Sequence, residues 1–303
     1  MSKKHRRHRQ IPQQEARTQY LLDQFTEADV DSWKEMGRLV NDFEIVRYHV
    51  LEAIRQSRKS ELIEALASHS VRNVDLAAFC RIVDYQYSMA PLSSRGSLIG
   101  GGRFNIGRDC DQSSAANFPA LYAATSHRTA LLEKFGQPAK NSPLEARDLA
   151  LRPHSSYSFV QLEGHVREVL ILDDSRQLKA FAKIISEFQL PEHVLKLAAR
   201  AGYGQDDLLV LNRKVLFRTL LDPGWRFLPS QFGVPSNPQI FGAMIREAGF
   251  QGIMYPSARG GDRCMAVFPE NLERTDSAIR ITPPHPEGLE HAELNASTWR
   301  ELI

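Results

Sequence analysis

The chain has 303 residues, more than a usual single domain, so two structural units are expected. Its 42% apolar and 24% charged residues exclude wholesale disorder, and 38 basic against 36 acidic residues exclude a globally basic nucleic-acid binder. The net +2 is unevenly placed: residues 1–9 (MSKKHRRHR) hold five basic residues and no acid, leaving 33 basic and 36 acidic residues, a net −3, for the remainder.

Cys80, Cys110 and Cys264 are too few and too scattered for a disulfide framework, and none pairs at CxxC spacing for zinc. They suit a reducing compartment. No run of about 18 apolar residues predicts a membrane helix, and the basic start lacks the apolar core of a secretory signal. A cytoplasmic location is therefore expected, and the sequon at Asn295–Ser297 reads as chance.

Residues 1–18 read as a disordered basic tail. Residues 19–84 read as a helical N-terminal region. Trp33, Met36, Leu39, Val40 and Phe43 form one stripe at three- and four-residue spacing, which Ile45, Val46, Val50, Leu51 and Ile54 continue. Ser60 and Asn73 are expected to cap two short helices around Leu62–Leu66 and Leu76–Phe79. From residue 85 to 275 short apolar strands alternate with helices, which predicts an α+β domain. Val166–Leu172 reads as a buried strand followed by a helix capped at Asp173 or Asp174. Asn237, Pro238 and Gly249 bracket a helix, with strands at Phe250–Tyr255 and Cys264–Phe268 around a Gly260–Asp262 turn. Residues 276–303, Pro-rich and polar, read as a loosely packed tail.

Three stretches could carry chemistry. In the first, Gly96 to Asn105, glycine amides can approach a phosphate and Arg103 can grip it with two parallel bonds. It matches neither a GxGxxG fingerprint nor a P-loop, and composition alone favours a glycine-rich turn with a solvated arginine. In the second, Leu121 to Glu133, Tyr122 ends a strand and Ser126 caps a helix. Ala130 and Glu133 share one face of that helix, where Glu133 is either a tuned carboxylate or a residue at its surface edge. His127 has no partner at ligand spacing. In the third, Gly252 to Gly261, Ser257 follows a buried strand and could present a hydroxyl at a cleft, or simply satisfy the turn's backbone. No metal-binding constellation appears.

In order, the segments PLSSRGSLIGGGRFNIG, LYAATSHRTALLE and IFGAMIREAGFQGIMYPSARGGDRCMAVF resemble the RES family, named for its arginine, glutamate and serine, over residues 78–275. The resemblance implies an ADP-ribosyltransferase-like mixed α+β domain, here preceded by the small N-terminal helical unit. It also implies a toxin of a toxin–antitoxin pair that consumes NAD⁺ as substrate, needs no further cofactor, and is neutralised by an antitoxin protein with a DNA-binding domain. Carried over, Arg103, Glu133 and Ser257 are the family's catalytic residues, while Tyr122, eleven residues before the glutamate, and Arg81 of CRIVDYQY line the pocket. Asn105 reads as structural.

On this resemblance Glu133 stabilises a cationic ribose or orients the nucleophile, and Arg103 with Arg81 holds the pyrophosphate. Tyr122 stacks on nicotinamide and Ser257 positions the ribose. Two other readings stand beside NAD⁺ cleavage: mono-ADP-ribosylation of a protein, and a non-catalytic module binding NAD⁺ or nucleic acid. A membrane partner is not expected, nor nucleic acid except through the basic tail. The segment Arg108–Pro119 and residues 174–236 exceed the compact pattern, and residues 19–84 could replace an antitoxin, bind one or dock a target.

Overall fold

The computed structural model describes residues 27–68, 71–136, 156–173, 175–227 and 229–303. The expected disordered tail and the Asp174 cap lie outside them. The described chain is mixed α+β: eight helices and one eight-stranded sheet.

Helix α1 (Glu27–Ser57) carries the expected apolar stripe, but the stripe is not buried evenly. Trp33 and Met36 are exposed, whereas Phe43 is fully buried with Leu190, Val194 and Ala198. Burial begins only where helix α6 (Glu192–Arg200) lies alongside, and there the Tyr203 hydroxyl donates to Glu44 at 2.6 Å. Helix α2 (Lys59–Ala67) follows and buries Leu62, Ala65 and Leu66.

The predicted helix around Leu76–Phe79 does not form. Strands β1 (Val71–Asp75) and β2 (Cys80–Asp84) occupy the stretch expected to be helical. Between them Asp75 accepts from the Ala77 amide at 2.7 Å, an Asx turn that places Leu76 and Phe79 in the sheet's core. Two apolar residues three apart fit one helical face as well as they fit a turn whose ends are both buried.

Strand β3 (Leu121–Ala124) and helix α4 (His127–Phe135) come next, with short helix α3 (Arg95–Gly100) before them. Strand β4 (Tyr157–Ile171) is the organiser. Gly164 and Glu168 take positive φ values of 101° and 45° and turn the strand, so its successive stretches pair with different neighbours. The first stretch runs antiparallel to β2, the middle one to β7 (Ala278–Ile281), and the last antiparallel to β1 and parallel to β5 (Gly252–Pro256). A side chain at Gly164 would put its Cβ 2.2 Å from the Ala278 carbonyl, so this crossing requires glycine.

Strand β6 (Arg263–Val267) pairs with both β5 and β3, and β2 joins β3 back to β4, closing β2–β3–β6–β5–β4 into a ring. Side chains alternate across it. Met254, Met265, Leu121 and Ala123 face one core, while Tyr255, Cys264, Ala266, Tyr122 and Ala124 face the other. The second core is covered by α2, α5 (Lys179–Ile185), α7 (Arg213–Leu220) and α8 (Asn237–Glu247). The bracketed helix is thus α8, one residue off the expected cap: Ser236 is the N-cap, and Gly249 turns the chain at φ 89° after Ala248.

The C-terminal segment is no loose tail. Strands β7 and β8 (Glu293–Leu294) extend the sheet, and Ile279, Leu294 and Leu302 are buried. The Leu302 carbonyl accepts from the Ser94 amide at 2.8 Å and from the Ser93 and Ser94 hydroxyls, while Arg95 reaches the carbonyls of Glu301 and Ile303. Polar, Pro-rich composition conceals these few buried apolar anchors. Asn295 of the sequon accepts from the Ser297 and Thr298 amides and caps the last turn. Among the described residues no helix is long and apolar enough to cross a membrane.

Candidate active site

Helix α4 begins as its sequence dictates: Ser126 accepts from the Thr129 amide at 3.2 Å as N-cap, and Thr129 to Leu132 are buried. One residue further, Glu133 emerges partly buried at the edge of the apolar face. Opposite it, strand β5 ends at Pro256 and the chain turns through Gly260–Gly261 into β6. The Ser257 hydroxyl accepts from the Arg259 and Gly260 amides at 3.1 and 2.7 Å, as a turn serine should. It also donates to Glu133 Oε1 at 2.5 Å. The turn reading of Ser257 thus holds, and the bond to Glu133 comes in addition, because an oxygen with two acceptor sites still has one proton to give.

A second clamp sets that distance. Asp262, at the far end of the turn, accepts from the Ser126 hydroxyl at 2.6 Å and from the Thr129 hydroxyl at 3.0 Å. Those two hydroxyls hold its carboxyl below the usual carboxylate range. A Cβ on Gly260 would lie 2.7 Å from Thr129 Oγ1, so the turn can approach the helix only with glycine there. Arg259 Nη1 adds a bond to the Glu133 carbonyl at 3.3 Å.

The glycine-rich stretch builds the adjoining wall. Gly102 and Asn105 form an isolated bridge, and Asn105, fully buried, donates to the carbonyls of Ser97 and Phe118 at 2.8 and 2.9 Å. Its structural role is as expected. Tyr122, on β3, donates to Asn105 Oδ1 and accepts from the Phe104 amide, both at 2.9 Å. A Cβ on Gly102 would sit 2.4 Å from that phenol oxygen, so the tyrosine fits only because this position is glycine. Burial pushes the Tyr122 phenol above its ordinary range.

Arg103 is buried, not solvated as composition alone suggested. Its Nη1 donates to the carbonyls of Leu220, the last residue of α7, and of Asp222 just past it, at 3.1 and 2.9 Å, and its guanidinium lies 5.7 Å from the Trp225 ring. Arg81, on β2, donates to the Ser93 carbonyl at 2.7 Å and the Tyr122 carbonyl at 3.3 Å, and its Nε is buried with no hydrogen-bond partner among the described residues. Burial draws its guanidinium down to about 10.

Two residues that local pattern could not flag belong here. Tyr255 packs edge-on against Phe104 with ring centroids 4.7 Å apart, and the Cys264 thiol feels both Glu133 and Arg103. Burial, then the Glu133 charge, pushes that thiol well above its ordinary value. Both sit on the inward face of β5 and β6, so strand alternation names them once the pairing is known. His127 lies 4.6 Å from Phe159, ring to ring, at the rim. Asp173 pairs with Arg263 at 2.8 Å, and among the described residues no cluster of three or more metal-ligating side chains occurs.

The chain belongs to the RES domain family, whose model matches residues 78–288. No curated protein matches it. Among solved structures it is similar to a chain of the M. tuberculosis MbcT–MbcA toxin–antitoxin complex, at 14% identity over 80% of this chain and 96% of that one, with a TM-score of 0.42.

Proposed function

We propose that this protein cleaves NAD⁺ at the bond between nicotinamide and ribose, and that it is the toxin of a toxin–antitoxin pair. The observation that supports this most is the Glu133 carboxylate fixed by Ser257 at 2.5 Å inside a wall that also holds Arg103 and Tyr122.

Cleaving this bond passes through an oxocarbenium-like state, and nicotinamide leaves as a neutral molecule. No general acid is required for its departure. What the reaction needs is a carboxylate near the developing positive charge, and Glu133 supplies one whose rotamer Ser257 restricts. The electrons of the broken bond stay on the nicotinamide nitrogen, and water or inorganic phosphate then adds at the ribose carbon and gives up a proton. Arg103 spends Nη1 on two carbonyls, so the rest of its fork is assigned to the pyrophosphate of NAD⁺. Arg81 leaves β2 on the face opposite Cys80 and Ile82 and is anchored to the Ser93 and Tyr122 carbonyls, so its charge supports the Tyr122 backbone from behind this wall. Tyr122, whose hydroxyl is committed to Phe104 and Asn105, offers its ring to nicotinamide. An antitoxin with a DNA-binding domain and a cytoplasmic setting complete this reading.

Incubating the full chain with NAD⁺, with and without phosphate, and resolving the products by chromatography tests it. Free nicotinamide with ADP-ribose, or with its 1″-phosphate, is expected. Label appearing instead on an added protein would transfer the assignment to ADP-ribosylation, and no nicotinamide release under any condition would overturn it.

A further inference from the structure

A cavity of about 370 Å³ lies away from Glu133, between α1 and the helices α5, α7 and α8. None of Arg81, Arg103, Tyr122, Glu133 or Ser257 lines it. Its volume falls within the range of small-molecule sites. Just over half of the wall is apolar, built from side chains such as Leu51, Phe181, Phe188, Leu216, Phe241 and Met244.

The polar part of the wall is unequal in its needs. Glu44 and Arg47 satisfy each other, and Glu44 also takes the Tyr203 hydroxyl. Asp206 and Asp207 are exposed at the rim and solvated. Arg55 differs. It is 9% exposed, its Nε is bonded to Glu52 at 2.8 Å and its guanidinium lies 5.6 Å from the Tyr48 ring, but Nη2 is buried with no hydrogen-bond partner among the described residues. A buried guanidinium donor left open carries its full desolvation cost, and an acceptor supplied by a ligand removes that cost. The N-terminal end of α8, at Ser236 and Asn237, borders the same space with the positive end of its dipole.

From this geometry we propose that the cavity binds a small amphipathic acid, its apolar tail among the leucine, phenylalanine and methionine side chains and its carboxylate or phosphate headgroup on the Arg55 guanidinium, whose Nη2, sealed from the cavity here, turns to meet the headgroup. The proposal does not depend on the NAD⁺ reading, because no residue of that site takes part.

Titration calorimetry of the full chain with octanoate, octyl phosphate, octanol and octylamine tests it directly. One equivalent of octanoate or octyl phosphate is expected to bind at least about tenfold more tightly than octanol or octylamine, since a charge-assisted bond to a guanidinium exceeds the roughly 1.4 kcal/mol that a tenfold difference represents. The tighter of the two acids names the headgroup. Arg55→Met should reduce both acids to the level of octanol. Met244→Trp, which fills the cavity and leaves Arg55 intact, should abolish binding of all four. Equal binding of octanoate and octylamine, octanoate affinity untouched by Arg55→Met, or saturable binding that survives Met244→Trp would each overturn the proposal. So would no binding of either acid. Should Arg55→Met fail to fold, the comparison of acids with octanol on the unaltered chain and the Met244→Trp arm decide alone.

Discussion

Ser257 and Glu133, 124 residues apart in sequence, meet at 2.5 Å because a glycine turn and a helix N-terminus are pinned together beside them. Asp262 bonded to Ser126 and Thr129 is that pin, and Gly260 permits the approach. The Glu133 carboxylate is therefore held by Ser257 as well as placed by its own helix.

Replacing Glu133 by Gln keeps the shape and removes the charge. NAD⁺ consumption should fall by about 10²–10⁴-fold, the range for a positioned charged group, with little change in melting temperature. Ser257→Ala should reduce turnover less, about tenfold, because the carboxylate remains and only its orientation is released. A Ser257→Ala loss equal to that of Glu133→Gln would show that the serine acts on substrate itself. Steady-state nicotinamide release reads both.

Tyr122→Phe leaves the Phe104 amide and Asn105 Oδ1 without the phenol. A destabilisation of about 1–3 kcal/mol is expected from two partly buried groups losing one partner, and ring stacking should survive, so KM for NAD⁺ should change little. Gly102→Ala should be worse, because its methyl would collide with the phenol oxygen and the adjoining backbone must shift. Urea unfolding curves of the two variants separate the effects.

Cys80, Cys110 and Cys264 are free and buried, and burial raises each thiol above its ordinary value, the first two from 9.0 to about 11. Below pH 9 these thiols are neutral whether the chain is folded or unfolded, and their contribution is fully present. Above pH 9 the unfolded chain releases thiol protons that the folded chain retains until about pH 11. Stability should therefore fall across that window, by on the order of 1 kcal/mol per pH unit for each thiol. Reaction with a thiol reagent should be slow at pH 8 in native protein and immediate after unfolding.

Removing residues 299–303 takes away Trp299 and Leu302, both buried, together with the carbonyls that Ser93, Ser94 and Arg95 use. A loss of several kcal/mol is expected from the two side chains alone, at about 1.5–3 kcal/mol each. The neighbouring Ser93 carbonyl holds Arg81, so NAD⁺ affinity should weaken along with the melting temperature.

Much of this protein is legible in its sequence, and the legible part is local. The Ser126 cap, the helix bearing Glu133, the α8 boundaries and the strands around Gly260–Asp262 follow from residues within a few positions of one another, and so each is written in a short stretch. The mixed α+β class and the RES segments are of the same kind. Where the fold departs from the local pattern, a local signal has a tertiary answer. Leu76 and Phe79 fit a helix until β4 offered both a place in the sheet core, and residues 276–303 looked polar although a few side chains anchor them. The stripe on α1 is continuous in sequence, yet only its later half is covered, since burial needs a partner that periodicity does not name.

Composition placed +2 on the chain and showed that the body is slightly acidic, so any anion must be met by individual arginines. Which arginines, and how, only the tertiary structure decided. Arg103 is tied to carbonyls at the C-terminal end of α7, Arg81 to Ser93 and Tyr122, and Arg55 Nη2, beside a separate cavity, has no acceptor among the described residues. A side chain's type is set by its codon, but its unmet hydrogen bonds are set by which distant backbone folds against it.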